Sequence, residues 1–178
     1  MGKNKLKDIT VNFLNAVLVM TDNVLRVAVD RKEVYRILNN QFDEELPLAK
    51  LSLFLQNLKS RGYVEIKKGI NGDSIQFTDK AQIRVIDKIA NQLDWDGKYR
   101  FVSFDVPELM RLNRDGFRRS IKKVGFKQIQ KSLWVCKKNV GNLVEMASYF
   151  HKVEKYVIYI VSEESDIDGI IEKMFRSG

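Results

Sequence analysis

The chain has 178 residues, 44% of them hydrophobic, with one cysteine, one histidine and a formal net charge of +8. That length allows one large domain or two small ones with real cores, and a lone Cys136 and a lone His151 exclude an internal disulfide, a cysteine-based zinc site and a multi-histidine metal site. The basic excess, with a pI near 9.5, calls for a polyanionic partner, and no apolar run is long enough to span a bilayer, so no membrane association and a cytoplasmic location are expected.

Residues 6–20 read as an apolar helix. Residues 24–29 are ambiguous between strand and buried helix. Asp30 with Glu33 has capping-box spacing and predicts a helix to about Asn40. Pro47 suits the first turn of the next helix, in which Leu48, Leu51, Phe54, Leu55 and Leu58 share one face and which Gly62 ends. Residues 63–66 and 74–77 alternate as two short strands around a turn-rich tip, and Thr78-Asp79 predicts a final helix to about Leu93. Three helices and a hairpin make a winged helix-turn-helix, expected over residues 1–94.

The joint is expected near Asp94-Trp95-Asp96-Gly97. From there the pattern predicts strand 99–105, helix 109–124, strands 126–130 and 132–138, helix 141–151, strand 156–161 and helix 166–175. This is βαββαβ plus one helix, a ferredoxin-like plan over residues 95–178. The fold class is therefore α+β.

If the third helix is the recognition helix, its non-leucine face carries Ala49, Ser52, Leu53, Gln56, Lys59 and Ser60. Gln56 suits adenine bidentately and Ser52 either base class. Lys50, Lys59, Lys67 and Lys68 suit phosphates. On the helix after Asp105, residues Arg111, Arg114, Arg118 and Lys122 form one stripe, widened by Arg119 and Lys123. Few of these cations have an acid four residues away, so ion pairs within the helix explain little of the stripe, and it reads as a nucleic-acid surface. Asp105, at a strand's carboxyl end, reads as a helix cap or an arginine partner, or alternatively as one ligand of a Mg²⁺ site completed by a second copy. His151 reads as a solvated or helix-end residue and Cys136 as a buried apolar group. No Gly-rich phosphate loop or nucleophile elbow is present, and no catalytic residue or cofactor is expected. Strands 99–105 and 156–161 are apolar on both sides. The helices of the plan cover one sheet face, so the sheet is expected to form a homodimer.

The second half resembles the Cas-two family, the small ferredoxin-like subunits of CRISPR spacer adaptation. The resemblance lies in an apolar strand ending in Asp105, an arginine-rich helix, Gly125-Phe126, and Gln130-Lys131-Ser132 before an apolar strand. With an upstream winged helix, and with Phe104-Asp105-Val106-Pro107-Glu108 at the strand end, the chain is similar to the PaaX-like transcriptional repressors. Leu48 to Lys68 and Phe77-Thr78 are similar to their winged helix and its exit. The resemblance implies a homodimeric repressor of duplex DNA. The alternative it implies is a Cas-two-like metal-dependent nuclease or spacer-adaptation subunit, with Asp105 as metal ligand and the arginines of helix 109–124 on phosphates.

Overall fold

The structure, a computed structural model, describes residues 3–20, 28–42, 46–69 and 72–176. The chain forms two compact units, Met1–Val85 and Ile86–Gly178.

The first unit holds helix α1 (Lys3–Met20), strand β1 (Ala28–Asp30), helices α2 (Arg31–Asn39) and α3 (Leu48–Ser60), strands β2 (Val64–Gly69) and β3 (Gly72–Phe77), and helix α4 (Asp79–Arg84). Residues 24–27 of the ambiguous run lie outside the described residues; Ala28–Asp30 is strand. The sheet is antiparallel with β3 in the centre, in the order β1-β3-β2. Phe13 and Leu14 of α1, Leu38 of α2, Leu55 and Leu58 of α3, and Ile75 of β3 are fully buried. The Phe13 ring meets Phe54 edge-on at 6.1 Å and Phe77 at 6.0 Å. The leucine stripe of α3 therefore packs as its periodicity predicts, with the exception of Leu48, which is exposed.

Three local details differ from expectation. The Asp30 carboxylate accepts from the Lys32 N–H at 2.7 Å, but the capping box does not close, because Glu33 pairs with Arg36 instead. Pro47 stands at the N-cap of α3. The helix predicted to reach Leu93 breaks at Val85 and resumes in the second unit as α5 (Ile86–Ala90). Ile83, Val85 and Ile86 crowd three β-branched residues into four positions, which disfavours continuous helix. Gly62 behaves as predicted. It takes φ +72° just after α3, where the left-handed conformation lets Tyr63 N–H reach the Leu58 carbonyl at 2.9 Å.

The second unit continues from α5 with β4 (Trp95–Phe104), a 3₁₀ turn, α6 (Arg111–Val124), β5 (Lys127–Gln128), β6 (Leu133–Lys138), α7 (Gly141–Phe150), a second 3₁₀ turn, β7 (Val157–Ser162) and α8 (Asp168–Arg176). The sheet is antiparallel throughout, in the order β5-β6-β4-β7, so the predicted βαββαβ succession is present. Strand β4 starts earlier than predicted, through an irregularity between Trp95 and Arg100 where Gly97 takes φ +84°. Arg100, only 3% exposed, is clamped there by Asp96.

One sheet face is filled by Val102, Phe104, Phe117, Ile121 and Trp134, with Phe104 edge-on to Phe117 at 5.2 Å. The expectation that helices cover this face alone is corrected. Tyr99 and Val135 on the opposite face pack with Ile171 of α8, joined by Phe101, Ile129, Ile167 and Phe175. The periodicity of residues 166–175 predicted the helix but could not say which face it would cover. Ile158, Ile160 and Val161, on the edge strand β7, remain exposed.

Candidate nucleic-acid interface

In the first unit α3 turns Leu51, Phe54, Leu55 and Leu58 inward, which leaves Lys50, Leu53, Gln56 and Lys59 exposed. Ser52 is half-buried, and its hydroxyl lies 2.8 Å from the Tyr35 hydroxyl of α2. Lys67 and Lys68 are exposed on β2, opposite Ser74 and Asp73 of β3. Asp73 is held by Arg31 at 3.0 Å. The predicted site residues of this unit thus fall on two adjacent surfaces, a helix face and a hairpin. Sequence spacing gave no sign of Tyr35, Arg31 and Asp73, because the contacts that tie them to Ser52 span different elements.

In the second unit the basic stripe of α6 is more internally paired than the spacing indicated. Arg114 meets Glu108 at 2.9 Å, and Arg118 meets Asp115 at 3.4 Å. Arg111 lies 3.9 Å from Glu108 and 3.8 Å from Asp115. The i,i+4 rule overlooked Glu108 because it stands on the preceding 3₁₀ turn, six residues before Arg114. Arg118 also covers the Phe104 ring at 5.8 Å, and Lys122 covers Trp134 at 5.5 Å, so their stems shield core aromatics. Arg119 and Lys123 are exposed and have no ion-pair partner among the described residues.

Asp105 is exposed just past β4. Its backbone N–H donates to the Tyr156 carbonyl at 3.2 Å, while its carboxylate neither caps a helix nor meets an arginine among the described residues. The expected structural role of that carboxylate is therefore corrected: only its backbone is engaged. Glu108 is committed to Arg114, and among the described residues no three His, Cys, Asp or Glu side chains gather around a common point. A Mg²⁺ ion at Asp105 would need further hard oxygen ligands, such as those of a second copy.

Of the two expectations for His151, the structure bears out the helix end and not the solvated one. It is half-buried at the end of α7, with Nε2 2.9 Å from Ser120 Oγ and its ring against Gly116 of α6. Burial, helped by the nearby Arg119 cation, pulls its pKa down to about 4. Cys136 is buried as expected, and burial pushes its thiol up.

No helix among the described residues is long and apolar enough to cross a membrane. No curated protein and no solved structure matches the chain significantly. The family model described as the PaaX protein central Cas2-like domain matches residues 92–170, which takes in the whole sheet of the second unit and the Arg-rich α6. Over those residues the chain is similar to the central Cas2-like domain of PaaX proteins, a likeness that supports a PaaX-like assignment.

Proposed function

We propose that this protein is a DNA-binding transcriptional regulator, a repressor, that binds duplex DNA as a homodimer. The first unit is read as a winged helix-turn-helix with α3 as recognition helix and the β2–β3 hairpin as wing. The observation that carries this is the exposed Lys50, Gln56 and Lys59 face of α3 in the same compact unit as the exposed Lys67-Lys68 pair. Gln56 supplies a bidentate amide for a base edge, and the lysines supply phosphate contacts whose strength falls with salt. The second unit is read as the dimerisation domain, supported by exposed Ile158, Ile160 and Val161 on an edge strand. A two-fold pair of winged helices favours a palindromic operator.

The test is a binding selection from random duplex DNA. An enriched palindrome is expected; duplex binding with no enriched sequence would replace the regulator with a charge-only binder. The nuclease alternative rests on the unpartnered Asp105 carboxylate. Cleavage by the parent in Mg²⁺ or Mn²⁺ that disappears in Asp105→Asn would favour it.

A further inference from the structure

Four side chains link the proposed wing to the proposed recognition helix by way of α2. Asp73 stands on β3 next to Gly72, where the hairpin strands close. Its Oδ2 accepts from Arg31 Nη1 at 3.0 Å. Arg31, the first residue of α2, also donates through Nε to the Tyr35 hydroxyl at 2.9 Å, and its guanidinium lies over the Tyr35 ring at 5.3 Å from the centroid. The Tyr35 hydroxyl then lies 2.8 Å from Ser52 Oγ on α3. Arginine only donates, so the Tyr35 oxygen is an acceptor on the Arg31 side, which leaves its proton for Ser52.

This arrangement has two consequences for the DNA-facing groups. First, Lys68 stands directly opposite Asp73 in the β2–β3 register, where a cross-strand ion pair would be natural. Arg31 occupies Asp73 instead, which leaves the Lys68 ammonium available to a phosphate. Second, Ser52 lies one helical turn before Gln56, on neighbouring rows of α3. Fixing Ser52 against Tyr35 fixes the rotation of α3 about its axis, and with it the direction in which Gln56 points. The anchors at both ends are half-buried side chains on different elements, so the link spans the hairpin, α2 and α3.

We propose that Tyr35 is a positioning residue for sequence-specific DNA binding: with Arg31 and Ser52 it sets the register between the wing lysines and the reading face of α3. Ser52 then acts through its bond to Tyr35 and not by contacting a base. This inference rests on the DNA-binding reading above. It makes base reading by Gln56 depend on a hydroxyl that does not touch DNA.

The test compares parent, Tyr35→Phe, Ser52→Ala, Ser52→Thr and the Tyr35→Phe/Ser52→Ala double variant on the selected duplex and on a random duplex, with a thermal melt of each. Tyr35→Phe keeps the ring and its packing and removes only the hydroxyl. The expected result is a fall of about 3–10-fold in the ratio of selected to random affinity, the size of one lost hydrogen bond. Ser52→Ala is expected to show the same fall, Ser52→Thr to keep the parent ratio, and the double variant to be no worse than either single. A protein that is merely loosened would lose both affinities together and leave the ratio unchanged, which overturns the inference. Additive effects in the double variant would make Ser52 a base reader and overturn it, with the DNA-binding reading intact. A Tyr35→Phe variant that discriminates like the parent overturns it in the same way. If the parent binds no duplex even at low salt, the DNA-binding reading itself falls and takes this inference with it. Should Tyr35→Phe fail to fold, the Ser52→Ala and Ser52→Thr pair decides: loss of discrimination in the first with retention in the second supports the link, and any other result overturns it.

Discussion

Gly116 and His151 interlock α6 and the end of α7. A Cβ built on Gly116 would stand 2.5 Å from His151 Nδ1 and 2.6 Å from Cε1, and the ring cannot swing away without giving up Ser120 Oγ at 2.9 Å. Gly116→Ala would gain up to about 1 kcal/mol of helix propensity, while overpacking costs about 1–3 kcal/mol. The clash should win, and Gly116→Ala should unfold at lower denaturant than the parent; equal stability would mean that the ring moves aside freely. The same burial makes His151 a pH liability. Its pKa is about 4 in the folded protein against an ordinary 6.5, so the unfolded chain takes up the proton first. Stability is therefore complete above pH 6.5 and falls as pH drops towards 4, by about 1–3 kcal/mol for this group. His151→Gln should flatten that part of the stability profile. Asp96 acts lower on the scale: its hydrogen bonds to Arg100 hold its pKa at about 2, against 3.8. Its contribution is complete above pH 3.8 and is lost as pH falls through 2. Asp96→Asn should remove that acid step in a pH titration of the melting temperature.

At the level of elements, α6 decides how the second unit would meet a polyanion. Arg114 and Arg118 are already engaged by Glu108 and Asp115, whereas Arg119 and Lys123 are exposed and unpaired among the described residues. If α6 touches DNA, Arg119→Ala or Lys123→Ala should each reduce the slope of log K against log salt by about 1. Arg118→Ala should change the slope less, since it removes a cation already paired with Asp115. Equal slopes for all three would place α6 away from the DNA. In the first unit Lys67→Ala should weaken all duplexes alike, and Gln56→Ala should cost about 1–3 kcal/mol at one base position only. These distinctions mark where sequence reading stops. Periodicity located α6 and the βαββαβ order, because those depend on the face each residue presents along one element. It missed the Glu108–Arg114 pair, which spans a change from 3₁₀ to α geometry, and the Asp73–Arg31–Tyr35–Ser52 run, which crosses three elements. It left His151 as either solvated or helix-end, since nothing in its own helix reveals the groove that Gly116 opens on α6. The break at Val85 was legible in the crowding of Ile83, Val85 and Ile86, although hydrophobic spacing alone ran straight through it.

For the molecule as a whole, the edge strand β7 carries the exposed Ile158 and Ile160, at 62% and 47% of full exposure, beside a sheet face that α8 covers in part. If this region is the dimer surface, light scattering at micromolar concentration should return twice the 20.7 kDa chain mass. Ile160→Asp should then raise the dimer dissociation constant by about tenfold or more while the melt stays cooperative. A parent that runs as a clean monomer would sink the homodimer reading. The cover supplied by α8 has a further meaning in time. Tyr99, Phe101 and Val135 are synthesised well before Ile167, Ile171 and Phe175, so a growing chain presents a bare aromatic sheet face until α8 leaves the ribosome. During that interval the half-made second unit is a natural client for holdase chaperones, and a stalled translation product ending before residue 166 would be stickier than either the shorter first unit or the completed domain.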